Sequence, residues 1–191
     1  MNRAPSLFLL LYTWALTLLG LKMSLPALPY LEAVFQVPES AIRASVTGFF
    51  FAFGIGQLFW GYISDIYGRK KPLIVGLFVT AIGTILALSS ESLTVYIIGR
   101  CIEGVGLASV SPIARAILFE TRSADRATKE LGIVSMSTAF IPAVAQITGG
   151  YLMAFAGWRW IFATFLLLVC VAIASISMRL NETLEDTNAP K

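Results

Sequence analysis

The sequence predicts an all-α membrane protein with six transmembrane helices, and three observations lead there. Hydrophobic residues fill 57% of the 191 positions and charged residues only 13%, too little polar side chain to cover a water-soluble globule of this size; the mean hydropathy is +0.79. The apolar residues gather into continuous runs, each long enough for the ~20 residues a helix needs to cross a ~30 Å hydrocarbon core. The runs do not alternate over about ten residues as the strands of a membrane barrel do, so helices, which satisfy their own backbone groups, are the expected spans.

The runs cover roughly 6 to 30, 42 to 63, 72 to 90, 93 to 118, 131 to 154 and 159 to 178, forming one bundle over 1 to 180 with a polar tail at 181 to 191. The opening MNRAPSLFLLLYTWALTLLG has an arginine ahead of an apolar stretch, as a signal peptide would. It is longer than a usual signal core and no small-residue cleavage site follows, so it reads as a retained first span. That span ends in LPALP, where Pro26 and Pro29 bend the chain. The second span runs into the charged stretch GYISDIYGRKK, the fourth carries Arg100 and Glu103, and the fifth contains Pro142, Gly149 and Gly150. Trp158 and Trp160 open the sixth as expected interfacial anchors, and the tail NETLEDTNAPK is polar and expected to be disordered. Cys101 and Cys170 each lie inside an apolar run, where they act as small hydrophobes rather than a disulfide framework.

Orientation follows from the basic residues in the connections, which stay on the cytoplasmic side. One side receives Arg3, Arg69, Lys70, Lys71, Arg115, Arg122, Arg126, Lys129, Arg179 and Lys191, the other only Arg43 and Arg159. Both termini and the stretch at 61 to 71 are therefore expected inside a cell (inner) membrane. The net charge of +3 is accounted for by this topology, with no nucleic-acid partner implied.

The loop could be a plain solvated turn, but its spacing carries more. Gly61, Asp65, Gly68, Arg69, Lys70 and Lys71 resemble G-x-x-x-D-x-x-G-R-[KR]-[KR], the signature between the second and third spans of the major facilitator superfamily. LPALP, GQLFWGYISD, GRCIEGVG and GGYLMAFAGWRWIF together resemble its drug:proton antiporters of the bicyclomycin and chloramphenicol resistance type. The resemblance implies a fold of twelve helices in two halves, of which this chain has the length of the amino-terminal six, each half being two inverted three-helix repeats. Gly61 is expected to let helices approach and Gly68 to take positive φ in a tight turn. Asp65 is expected to meet a helix N-terminus and an arginine, and the resemblance implies a conformational latch with Arg115 as its partner.

Charges inside the spans are functional candidates because they are costly to insert, the plain alternative being a packing ion pair. In the family, R-x-x-x-G-x-G on the fourth helix carries an arginine linked to proton coupling, and Arg100, Gly104 and Gly106 match it. Glu103 stands where a neutral residue is more usual, and Lys22 where relatives often carry an aspartate. The expectation is a compensating Lys22–Glu103 pair with Arg100 nearby and Glu103 as the proton-titrating group; alternatively Lys22 snorkels to the headgroups.

The antiporter signature G-P-x-x-G-G of the fifth span is half present, with Ala145 and Gln146 in place of glycine and proline. Pro142 is expected to kink that helix, and Gly149 and Gly150 to pack it closely. Gln57 and Gln146 are candidates to face a central cavity, or else to bond a neighbouring helix. Tyr12, Trp14, Met23, Phe49, Phe53 and Met136 could line it for flat lipophilic cations, or face lipid and other helices. No nucleophile, metal-ligand or phosphate-cradling motif is visible, so an enzyme is not expected. The expectation is a secondary transporter of small lipophilic compounds, driven by a proton gradient without a bound cofactor. It would work with a second six-helix half, supplied as a separate chain, a missing carboxy-terminal half or a second copy. The competing expectation is a non-transporting remnant or assembly partner.

Overall fold

The computed structural model describes residues 5–182. Its helices are α1 (Leu7–Lys22), α2 (Leu28–Phe35), α3 (Glu39–Tyr67), α4 (Lys70–Leu88), α5 (Leu93–Leu107), α6 (Val110–Thr121), α7 (Ala124–Phe155) and α8 (Trp158–Arg179), with no strand among the described residues. Six segments are long and apolar enough to cross a membrane, as expected: Leu7–Phe35, α3, α4, Leu93–Thr121, α7 and α8.

The first and fourth spans are each built from two helices. Pro26 opens a short 3₁₀ turn, Leu25–Ala27, between α1 and α2, because proline has no N–H to continue the α-helical ladder. In the fourth span Pro112 falls in the first turn of α6, and Ser109 at the junction donates its hydroxyl to the Gly106 carbonyl at 2.8 Å. The fifth span behaves differently: α7 runs 32 residues through Pro142 without ending. Gly68 (φ 88°) and Gly157 (φ 92°) make the sharp turns into α4 and α8.

Contact between α4 and α5 is closer than side chains would allow. A Cβ on Gly99 would lie 2.6 Å from the Ala87 nitrogen and one on Gly106 2.5 Å from the Gly76 carbonyl, while Gly76 and Gly83 meet Ser109 and the Glu103 backbone. These glycines are spaced by seven on both helices, so each pair returns to one face and the backbones can touch.

Two apolar clusters fill the bundle. One, around Leu16, Leu77, Ile113, Ile117, Phe165 and Val169, lies toward the signature loop. The other, around Met23, Leu31, Ile42, Tyr96, Trp158 and Phe162, closes the opposite end. Trp158 is thus buried against Phe35, Tyr96 and Phe162 rather than anchored at an interface, because Gly157 turns its side chain under α2; Trp160 is exposed. Phe51, Leu58, Phe140, Ile147 and Leu167 all point outward, an arrangement that water would penalise and lipid accepts.

Candidate functional site

Where the two clusters meet, the bundle holds an ion pair. Arg100 is 2% exposed and Glu103 0%; three residues apart on α5, they share a face, and the guanidinium donates to Glu103 Oε1 at 2.8 Å. Both terminal nitrogens of Arg100 also donate to the Gly20 carbonyl of α1 at 3.1 Å, and its carbon lies 4.6 Å from the Phe49 ring centroid and 5.7 Å from that of Phe162. Gly20 makes this approach possible: a Cβ there would lie 2.7 Å from Leu107 and Phe165 and 3.1 Å from Glu103 Oε1. Glu103 Oε2 has no hydrogen-bond partner.

Lys22 does not pair with Glu103. It is half-buried at the last turn of α1, with no ion pair among the described residues, and the reason is rotational. At about 100° per residue, Lys22 lies about 200° around α1 from Gly20, the residue that faces α5. The carboxylate's partner is Arg100, so the compensating charge comes from its own helix.

The signature loop is a second ionic centre. Arg69 donates to Asp65 at 2.5 Å, to Ser64 Oγ at 2.8 Å, and to Glu120 of α6 at 2.6 and 2.9 Å. Burial alone would lower the Arg69 pKa, but hydrogen bonds to Glu120 and Asp65 outweigh it and the pKa is raised. Arg115 is not the partner of Asp65: it sits over the Trp14 ring at 5.9 Å, because five residues along α6 turn it about 140° from Glu120, the residue that reaches the loop. Gly61 meets open space rather than a neighbouring helix. Gly68 does take positive φ, and a Cβ there would lie 2.5 Å from Glu182 Oε2. The Glu182 carboxylate accepts from the Arg69 and Lys70 backbone N–H groups at 2.6 and 3.2 Å, capping α4 where its dipole favours an anion. The tail therefore begins docked, while 183 to 191 lie outside the described residues. Lys70 reaches the Ser177 carbonyl at 2.9 Å and Lys71 is exposed.

A third cluster joins the fourth and fifth spans. Glu130, buried on α7, accepts from Arg126 at 2.8 Å and Arg122 at 3.1 Å, and Arg122 also holds the Pro5 carbonyl at 2.5 Å. Sequence reasoning missed Glu120, Glu130, Glu182 and Gly20. Only Glu130 carried a signal, lying four residues after Arg126.

Gln57 donates to Ser111 Oγ at 2.8 Å, a bond between α3 and α6 rather than a cavity group; Gln146 is exposed on α7. Gly104 packs on the Phe49 carbonyl, where a Cβ would come within 2.6 Å, and Gly149 on the Met23 backbone, but Gly150 meets open space. Pro29 stands in the first turn of α2. Met23 and Phe49 belong to the core, Met136 points outward, and Tyr12 donates to the Leu168 carbonyl at 2.6 Å. An open groove of about 410 Å³ does run between α1 and α7, lined by Ala15, Leu19, Ser137, Phe140, Ile141 and Val144. Leu19 also lines, together with Glu103, a second, narrow void.

Residues 10–191 match the sequence profile of the Major Facilitator Superfamily. An uncharacterized MFS-type transporter of Bacillus subtilis is 30% identical over 87% of this chain and 42% of its own length. A bicyclomycin resistance protein homolog of Haemophilus influenzae is 27% identical over 98% of this chain and 48% of its own length. The chain thus spans about half the length of these relatives. Among solved structures, the xylose transporter XylE from E. coli, in a partially occluded inward-open conformation, superposes with a TM-score of 0.79 at 16% identity, over 93% of this chain and 48% of that one; at that identity the likeness concerns the fold.

Proposed function

The chain belongs to the Major Facilitator Superfamily, and from that premise we propose that it forms one six-helix half of a secondary transporter that exports small lipophilic compounds in exchange for protons. It is a multi-pass membrane protein whose family and neighbours are transporters, not enzymes. The observation that carries the reading is Glu103: a carboxylate enclosed by helices, held by Arg100 through one oxygen and unpartnered at the other. Such a group is costly as a purely structural element and suits one that gains and loses a proton. The groove between α1 and α7 supplies an apolar wall for substrate, and Leu19 transmits occupancy to Glu103. A proton gradient supplies the energy and no cofactor is required.

In this reading a second half closes the groove from the other side, and the two rock about a substrate near the midplane. That half is the continuation of the chain, a separate chain or a second copy. The termini and the loop at 61 to 71 face the cytoplasm across the inner membrane, in keeping with the basic residues gathered there. The loop latches the cytoplasmic end, with Arg69 rather than Arg115 as the cation. The relative named for bicyclomycin resistance supports drugs as the substrate class.

The test is dye efflux from energised vesicles carrying the full reading frame. Efflux is expected to stop with an uncoupler and with Glu103→Gln; full uncoupler-sensitive efflux in that variant refutes Glu103 as the carrier. One observation favours a scaffold without transport: Lys22 has no counter-ion among the described residues. A reading frame with no further six spans, and no efflux with any co-expressed half, decides for it.

A further inference from the structure

Glu103, whose Oε2 has no hydrogen-bond partner, lies beside the break in the first span. It borders a void of about 160 Å³ lined by Leu19, Gly20, Met23 and Ser24 of that span and by α8, too narrow to hold a water-sized sphere. The void as it stands has no room for a bridging water, so a partner for Glu103 across it has to come from the protein. Ser24 is the hydroxyl on that wall. It is 3% exposed and donates to the Leu21 carbonyl at 3.5 Å, which leaves its oxygen lone pairs for another donor. It also stands at the junction where α1 has ended and the 3₁₀ turn begins, where the α-helical ladder is interrupted.

We propose that Ser24 is the acceptor for Glu103 in its neutral state. With a proton from solvent on Oε2, Glu103 keeps Oε1 on Arg100 and donates its O–H to Ser24 Oγ, drawing the break in the first span against α5 and closing the void. When the proton leaves, Oε2 returns to the arrangement described above. Other groups facing Glu103 leave this pairing free. Arg100 and Tyr96 come from its own helix; α1 otherwise presents Gly20, α4 presents Gly83, and α8 presents Ile161, Phe162 and Phe165, none of which titrates. Lys22 forms no ion pair with it. Gly20 stays fixed by Arg100, so movement falls on the residues after it. Ser24 is thus a positioning residue that ties the shape of the first span to the charge at Glu103, an inference that rests on Glu103 being the proton carrier.

The test is infrared titration of the full chain in lipid, following the protonated carboxyl C=O band that Glu103→Gln removes. In Ser24→Ala the neutral acid loses its acceptor, so the band is expected at higher frequency and its half-formation about one pH unit lower, a tenfold weaker hold on the proton. Ser24→Thr keeps the hydroxyl and is expected to titrate as the parent does. Ser24→Cys, a weaker acceptor, is expected to move band and midpoint in the same direction by a smaller amount, and serves if the alanine variant does not fold. An unchanged band and midpoint in Ser24→Ala or Ser24→Cys, a threonine variant that behaves like alanine, or the absence of any band dependent on Glu103 overturns the proposal. The measurement needs neither substrate nor a second half. A displaced midpoint without dye efflux therefore supports the Ser24 contact while removing the export reading.

Discussion

The two ionic centres of this six-helix bundle differ in how completely their acids are satisfied. At the signature loop Arg69 is shared between Asp65 and Glu120, Glu182 takes two backbone N–H groups, and Glu130 nearby has two arginines. In the middle of the bundle Glu103 has one donor for two oxygens. A network that water also reaches, at Asp65 and Glu120, keeps its acids satisfied over a wide range of conditions. A buried carboxylate with a spare oxygen has somewhere to put a proton. The difference separates a fastening from a moving part.

The largest effect is expected from removing the cation at the centre. Arg100→Ala leaves Glu103 buried without a counter-charge and frees the Gly20 carbonyl, at a cost of about 3–5 kcal/mol, read as a loss of folded protein in detergent; a variant as stable as the parent would place the two centres on the same footing. Arg69→Ala comes next, at about 1–2 kcal/mol, because Glu120 is 28% exposed and Asp65 66%, so solvent screens what is lost. A double-mutant cycle between Arg69 and Glu120 should return most of that value, and a cycle with Asp65 much less. The smallest is Arg43→Ala: the exposed pair with Glu39 at the other end of the bundle is expected to contribute under about 0.5 kcal/mol, a baseline for reading the other two.

Spans and interior charges were legible in the sequence because both carry a large free-energy signature in lipid: a run of apolar residues is hard to place anywhere else, and Arg100 and Glu103 cannot be ignored there. Partner choice was not legible. Lys22 and Arg115 were expected beside acids from their places in the sequence alone, which leave out the angle around the helix axis, and neither makes the expected pair. The spacing of seven between Gly76 and Gly83, and again between Gly99 and Gly106, was available as a pattern, yet only contact with the facing helix shows what it does. Glu182 gave no local signal at all, since its amide donors lie 112 and 113 residues earlier.

That last contact fixes how force enters the bundle. The chain leaves α8 already moored to the start of the third span, so a load applied beyond residue 182 is shared between the sixth helix and the turn at Gly68. Twisting the signature-loop face and tugging on the onward polypeptide become one mechanical operation.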